Sequence, residues 1–222
     1  MKKTILSLAI AISILSGCST KVIFTTSEKD AKIYVDGRFM GTGETPVVKV
    51  KKHTCVNVKT EKTGFLTNDT KYCYTGYSWG RIKTKTIDLT HDDAFDASIK
   101  NDYANKDFEQ EIDSRLSESD AWKIISQIVT SYFDNLEMAD KATGYMKTSW
   151  QSKSFSQKTI RTRVIVKQSS ISPLKYKLKI ISEYCDQPNQ SVKDDDKFKE
   201  WDRILKAYDE LINEFQARLG QK

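Results

Sequence analysis

The sequence contains few of the residues on which many catalytic and metal centres depend. Its 222 residues include only two histidines and four cysteines, which argues against a His-based metal site or His-driven catalysis. It also lacks an apolar run of about 20 residues, the length that a membrane-spanning helix needs. With 38% hydrophobic and 30% charged residues, the composition excludes a multispan membrane protein and a wholly disordered chain. The length suits two small domains.

The excess of positive charge is small. Lys and Arg number 36 against 30 Asp and Glu, giving a formal charge of +6. A dedicated nucleic-acid binder usually carries a larger excess, so no nucleic-acid partner is expected.

The first 17 residues have the order of a secretion signal. Lys2 and Lys3 are followed by an apolar stretch, residues 5–15, that is too short to cross a bilayer. Leu15-Ser16-Gly17-Cys18 then resembles the lipobox of bacterial lipoproteins. The resemblance implies that residues 1–17 are removed and that Cys18 is acylated. The chain would then be anchored to a membrane through Cys18. Ser19 follows Cys18, which under the Gram-negative sorting rule implies the outer membrane, with the chain facing the periplasm or the cell surface. An ordinary secretory signal with a chance cysteine is the alternative.

An oxidising location makes the other cysteines candidates for disulfide bonds. Cys55 and Cys73 lie 18 positions apart in neighbouring strand-like stretches, so they are able to meet across a hairpin. Cys185 is left over and is expected to be a buried or free thiol.

Residues 18–89 predict a small all-β domain. Strand-like stretches recur with Gly and Pro between them, and Asp36-Gly37 is a strong signal for a type I′ hairpin. Ala31 to Gly37, then Gly41 and Thr45-Pro46, resembles the PEGA domain of bacterial surface proteins, although the Pro and Gly of its entry motif are missing. The resemblance implies a β-sandwich-like spacer or binding module without catalytic residues.

The loop 75–80 contains two aromatic residues between glycines. Tyr77 and Trp79 are suited to stacking on a sugar or entering a lipid headgroup layer, or else they cover one end of the sheet.

Residues 90–118 predict an acidic linker. Between residues 88 and 120 there are eleven Asp or Glu and three Lys or Arg. Without residues 1–17, the formal charge of the chain is +4. This net value is the sum of −8 in residues 88–120 and +12 in the rest of the chain. A solvated segment is the default interpretation, and docking on a basic surface of the same chain is the alternative.

Residues 119–222 predict an antiparallel α+β domain of the order helix, three strands, helix, so the whole chain is expected to be α+β. Apolar residues recur with helical spacing from Trp122 to Leu136 and from Phe198 to Leu219, and Ser117 or Ser119 is able to cap the first helix. The intervening stretches alternate with period two.

The alternation predicts a basic face on this sheet. If the strands around residues 160–167 and 175–180 pair, six cations share one surface: Arg161, Arg163, Lys167, Lys175, Lys177 and Lys179. Simple solubility, the acidic linker, lipid phosphates or an acidic partner protein would each account for them.

The element order, with Ala121-Trp122 and Thr148-Ser149-Trp150, is similar to the helix-grip domains of an accessory lipoprotein of the β-barrel assembly machinery. One such unit is present where that family has two, so a shared role is an analogy from fold.

These observations predict a non-enzymatic, lipid-anchored envelope protein that acts as a binding or scaffold module. No catalytic residue, metal or cofactor is expected, since His53 and His91 have no evident catalytic partner and His91-Asp92-Asp93 suits solvation better than coordination. The alternatives are a carbohydrate- or peptidoglycan-binding lipoprotein and an accessory subunit of an outer-membrane assembly complex.

Overall fold

The computed structural model describes residues 19–76 and 81–220 of the chain. It is mostly β, with 49% of residues in strands and 18% in helices, which agrees with the α+β class at the coarse level. The chain separates into two compact units, one ending at His91 and the other running from Asp92.

The first unit is built from strands alone within the residues described. Its seven strands are β1 (Ser19–Thr26), β2 (Lys32–Val35), β3 (Arg38–Thr42), β4 (Val48–Lys51), β5 (Thr54–Glu61), β6 (Asn68–Tyr74) and β7 (Ile82–Ile87). They form a three-stranded sheet in the order β4-β1-β7 and a four-stranded sheet in the order β3-β2-β5-β6. β1 and β7 run parallel, whereas the other pairs are antiparallel.

The two sheets contribute to one apolar core. Alternate residues of β1, Val22 and Phe24, are almost fully buried, as are Ile33 of β2 and Val58 of β5. Each such side chain contributes roughly 1.5–3 kcal/mol on burial. Period-two alternation therefore explains why these stretches form strands with one covered face.

The turn between β2 and β3 has the predicted conformation. Asp36 and Gly37 both have positive φ, 48° and 77°, as a type I′ turn requires. The Asp36 carboxylate also accepts a hydrogen bond from the backbone N–H of Asn57 at 2.8 Å, which ties the turn to β5.

The second unit combines a large antiparallel sheet with helices. Its elements are α1 (Asp93–Asp96), β8 (Ser98–Lys100), β9 (Asp107–Glu111), α2 (Glu118–Tyr132), β10 (Leu136–Asp140), β11 (Tyr145–Thr148), β12 (Gln151–Ser154), β13 (Thr159–Ile171), β14 (Leu174–Cys185), β15 (Lys199–Glu200), β16 (Arg203–Leu205) and α3 (Glu210–Leu219). Seven strands form the main sheet, in the order β10-β11-β13-β14-β15, with β12 paired to β13 and β9 paired to β14. β8 and β16 form a separate pair.

One core joins the helices to the inner face of this sheet. Ile125 and Ile128 of α2, Phe215 of α3 and Val164 of β13 all belong to the same buried cluster. Ser117, one of the two residues predicted as the cap, caps α2 by accepting a hydrogen bond from the N–H of Asp120 at 3.1 Å.

Three details of the sequence-based prediction are wrong. The sheet of this unit has seven strands rather than three. The helix expected over residues 198–219 begins only at Glu210, because Arg203–Leu205 forms a strand with β8 instead. Helical spacing of apolar residues does not distinguish one long helix from short elements that each bury one or two side chains.

The third correction concerns the segment 90–118, expected to be a linker. It belongs to the second unit from Asp92 onward, and β9 pairs with β14 along its length. Phe108 and Ile112 enter the core, 9% and 4% exposed. The acidic composition concealed a strand whose charged residues all point to one side.

Candidate binding surface

The six basic residues all lie on the outer side of the large sheet. β13 and β14 pair antiparallel, with Lys167 opposite Lys177. Val164 and Leu178 point into the core, each 1% exposed, so the residues between core positions point outward. These outward positions include Arg161, Arg163 and Lys167 on β13 and Lys175, Lys177 and Lys179 on β14.

Three of the lysines are neutralised by β9. Lys167 pairs with Asp107 at 3.1 Å, Lys175 with Glu111 at 3.2 Å and Lys177 with Glu109 at 3.5 Å. These pairs are partly exposed, so each contributes at most about 1 kcal/mol. The acidic segment therefore docks on the basic surface of its own chain, which was the alternative prediction, and the solvated-linker interpretation was wrong.

Arg161 is buried and serves the fold of this face. Its side chain is only 4% exposed, its Nε donates to Glu183 at 2.7 Å, and its Nη1 donates to Asp195 and to the carbonyl of Val192, both at 2.6 Å. The guanidinium carbon also lies 4.2 Å from the centre of the Trp150 ring and 4.1 Å from that of Phe198. A residue enclosed in this way is unavailable to a partner, so its assignment to an exposed binding face was wrong.

The segment between β14 and β15 covers Arg161. Thr159 anchors it by donating from its hydroxyl to the carbonyl of Gln187 at 2.7 Å and accepting from the N–H of Gln190 at 3.0 Å. The N–H of Asn189 donates to the Ser154 hydroxyl at 2.8 Å. The outer face is thus closed at this end of β13.

Arg163 lies two residues further along β13 and is partly exposed. Its guanidinium carbon stands 4.1 Å from the centre of the Trp150 ring, and its buried Nε has no hydrogen-bond partner among the described residues. No described carboxylate forms an ion pair with it, in contrast to Arg161. Arg163 is therefore a cation that lies against an aromatic ring and has no counter-charge among residues 19–76 and 81–220.

Two aliphatic residues lie near this cation on the sheet. Ile181 lies directly opposite Arg163, and Ile165 lies opposite Lys179. Lys179 also forms no ion pair with a described residue, because the carboxylate of its neighbour Asp107 pairs with Lys167. We call Trp150, Arg163, Ile165, Lys179 and Ile181 the cationic patch. Arg and Trp beside partly exposed aliphatic residues are typical of the energetically important part of a protein interface.

The expected disulfide bond is present in the structure. Cys55 and Cys73 lie opposite each other on β5 and β6, with an S–S distance of 2.08 Å. Cys185 is a buried free thiol.

The acidic residues beside His91 stabilise local structure. Asp92 caps α1 and pairs with Lys158, while Asp93 accepts hydrogen bonds from the N–H and hydroxyl of Ser156 at 2.9 and 2.7 Å. The hydroxyl of Ser156 is the main cause that lowers the pKa of Asp93. Within residues 19–76 and 81–220, no three His, Cys, Asp or Glu side chains are placed to hold a metal ion.

Several predicted residues lie outside the part of the chain that the structure describes. These are the leader, residues 1–17, together with Cys18, Tyr77 and Trp79. Of the helices in the described part, none has the length and apolar character needed to cross a membrane.

No family model matches the chain. A search of curated proteins likewise finds no match to its sequence. Function must therefore be inferred from the surfaces themselves.

The aromatic partners of the arginines were missed from sequence. Trp150 and Phe198 lie 11 and 37 residues from Arg161 along the chain, and neither shows a local pattern that indicates contact with it. The outward alternation of β13 indicated on which side of the sheet Arg161 lies, but not which residues cover it.

Proposed function

We propose that the chain is a non-enzymatic, lipid-anchored protein of the bacterial cell envelope whose second unit binds a protein partner through the cationic patch. The observation that carries the binding role is Arg163, fixed on Trp150 at 4.1 Å without an acidic partner in the described chain, while neighbouring cations are neutralised. A partner that brings a carboxylate and apolar side chains matches this patch in charge and polarity.

The anchor is proposed from the lipobox-like residues Leu15 to Cys18, with Ser19 favouring the outer membrane. Several acyl chains bury many methylenes, each contributing roughly 0.8 kcal/mol, which is sufficient for stable attachment. The proposed location also accords with the disulfide bond in the first unit.

We further propose that the first unit is a PEGA-like module. Two features support it beyond the sequence motif. The Thr45 hydroxyl accepts a hydrogen bond from the N–H of Phe24 at 3.0 Å in the interior, and a Cβ at Gly41 would stand 2.5 Å from the carbonyl oxygen of Glu44. The Thr of the Thr-Pro pair and the glycine before it thus each have a backbone role in this unit.

In the second unit, α2 and α3 share a core with one face of an antiparallel sheet, which supports the helix-grip analogy. That analogy concerns the fold, and a role in outer-membrane assembly would need its own demonstration.

The binding role is tested by crosslinking in the envelope followed by affinity purification of the full chain. Arg163→Glu is expected to abolish recovery of the specific partner, because the reversed charge repels the partner's acid. Lys123→Glu is the matched control, an exposed lysine on α2 away from the patch, and should leave recovery unchanged. Equal recovery with Arg163→Glu would contradict the assignment of the patch.

The anchor is tested separately with Cys18→Ala. We expect an unprocessed, unacylated precursor, and the absence of any change in mass or processing would contradict the lipobox.

A further inference from the structure

The three-stranded sheet of the first unit has an outer face that carries lysines. Along β1 and β4, the core residues alternate with outward residues, and Lys21 stands directly opposite Lys49. Lys51 stands opposite Ser19, the first described residue. We call Lys21, Lys49 and Lys51 the lysine face.

The charges on this face are uncompensated within the described chain. None of the three lysines forms an ion pair with a described residue, and like charges directly opposite each other on paired strands are destabilising. One acid on this side of the sheet is Glu44, which lies opposite Thr25. Thr25 is four residues from Lys21, roughly 13 Å along the strand, which exceeds the Debye length of about 8 Å at physiological salt.

Aliphatic side chains accompany the lysines. Ile82 of β7 lies opposite Lys21 and is 51% exposed. Val47, just before β4, is 42% exposed, and Ile23 of β1 is partly exposed. Exposed aliphatic groups beside cations are the combination found on surfaces that rest in the headgroup region of a membrane.

The other sheet of the same unit has a different outer face. There, Lys59 pairs with Glu61 at 2.5 Å, and Asp69 accepts a hydrogen bond from the Asn57 amide at 3.0 Å. Acids and bases alternate on that side, whereas none of the lysines of the lysine face has an acidic partner among the described residues. Overall, residues 19–91 contain thirteen Lys or Arg and seven Asp or Glu, a net charge of +6.

We propose that the lysine face lies against the anionic phospholipid headgroups of the membrane that holds the acyl anchor. This inference rests on the proposed acylation of Cys18, which is joined to Ser19 by one peptide bond. Adjacent Cα atoms are about 3.8 Å apart, so the anchor holds the beginning of β1 at the bilayer surface. The lysine face begins at that point and supplies the charge that attracts phosphate.

The test uses the full, processed chain reconstituted in two kinds of vesicle, phosphatidylcholine alone and phosphatidylcholine mixed with phosphatidylglycerol. Lysine acetylation by a water-soluble reagent is then quantified residue by residue with mass spectrometry. We expect labelling of Lys21, Lys49 and Lys51 to fall about fivefold in the anionic vesicles, which corresponds to ~1 kcal/mol for each lysine at an anionic surface. High salt should restore it.

Lys71 is the matched control, since it is exposed and lies on the outer face of the other sheet. Equal labelling of the lysine face in both vesicles, or equal protection of Lys71, would overturn the proposal. In the Lys21→Glu, Lys49→Glu variant, Lys51 should label alike in both vesicles, and retained protection would also overturn it. Failure of the protein to float with either vesicle would instead overturn the anchor, and this inference with it.

Discussion

The guanidinium of Arg161 shows how one buried cation is stabilised on a sheet face. The centres of the Trp150 and Phe198 rings lie 4.2 and 4.1 Å from its guanidinium carbon, and Glu183 accepts a hydrogen bond from its Nε–H. Removing the cation would leave Glu183 partly buried without its charge partner, and breaking a buried pair typically costs 3–5 kcal/mol, about 3 here because Glu183 is partly solvated.

We therefore expect Arg161→Leu to lower the free energy of unfolding of the second unit by about 3 kcal/mol, measured by urea denaturation. Arg163→Leu, which removes a cation stacked on the same Trp150 ring, should lower it by about 1 kcal/mol or less. Similar losses for the two variants would contradict the distinction between a structural and an available arginine.

Asp113 has a pKa well below its usual range. The Arg115 side chain donates to its carboxylate from Nε at 3.0 Å, the Arg115 N–H adds a bond at 2.9 Å, and together they lower the pKa of Asp113 to about 2. The folded chain thus binds a proton less readily than the unfolded chain. This contribution to stability is present above the ordinary pKa of 3.8 and is lost as the pH falls through about 2.

Titration of the Asp113 carboxyl by NMR should give a pKa of about 2, and in Arg115→Ala the pKa should rise toward 3.8. A value near 3.8 in the unaltered chain would contradict the role of the Arg115 hydrogen bonds.

For single residues, the sequence predicted the side of the sheet on which a side chain lies better than it predicted the residues that the side chain contacts. Alternation along β13 assigned Arg161 and Arg163 correctly to the outer side of the sheet. It did not reveal that Arg161 is covered, because its covering residues come from segments that are distant in sequence.

Among the elements, β9 shows how composition misleads. Its three acids point outward beside lysines of β13 and β14, while Phe108 points into the core. A high density of acids resembles a solvated linker when only composition is considered. The strand forms because its pairing with β14 buries Phe108 and matches opposite charges across the ladder.

Exchange of one charge pair tests this explanation. Glu109→Lys should lower the free energy of unfolding by about 1 kcal/mol by placing like charges opposite each other. The double variant Glu109→Lys, Lys177→Glu should recover most of that loss in the same denaturation assay. Additive losses in the double variant would show that the Glu109–Lys177 pair does not matter.

The strands of the first unit were easier to predict from sequence than the C-terminal elements. Asp36-Gly37 and the alternation of β5 are local signals, and both are observed. The β16–β8 pair joins residues about 105 positions apart, as the contact between Arg203 and Ser98 illustrates, and such pairing leaves no local signature.

In the whole molecule, two units have separate cores. The first contains the Cys55–Cys73 bond, and the second contains the buried helices. The basic first unit and the nearly neutral second unit have different surfaces, which suits the proposed division between membrane contact and partner binding.

Removal of the bridge should affect the first unit alone. Replacing both Cys55 and Cys73 by Ser is expected to lower its free energy of unfolding by about 3 kcal/mol, from the chain entropy of a closed loop of this length. Calorimetry should show one transition shifted and the other unchanged, with Cys185, in the second unit, left intact. A shift of both transitions would contradict the independence of the two cores.

The central claim, that the cationic patch binds a protein partner, is tested most directly by photo-crosslinking in intact cells. A photoreactive amino acid at Ile165, inside the patch, should give a discrete adduct that disappears when Arg163→Glu is added. The same group at Ile171, which is 79% exposed and lies outside the patch, should give no such adduct. The absence of an adduct from position 165, or its persistence with Arg163→Glu, would contradict the claim.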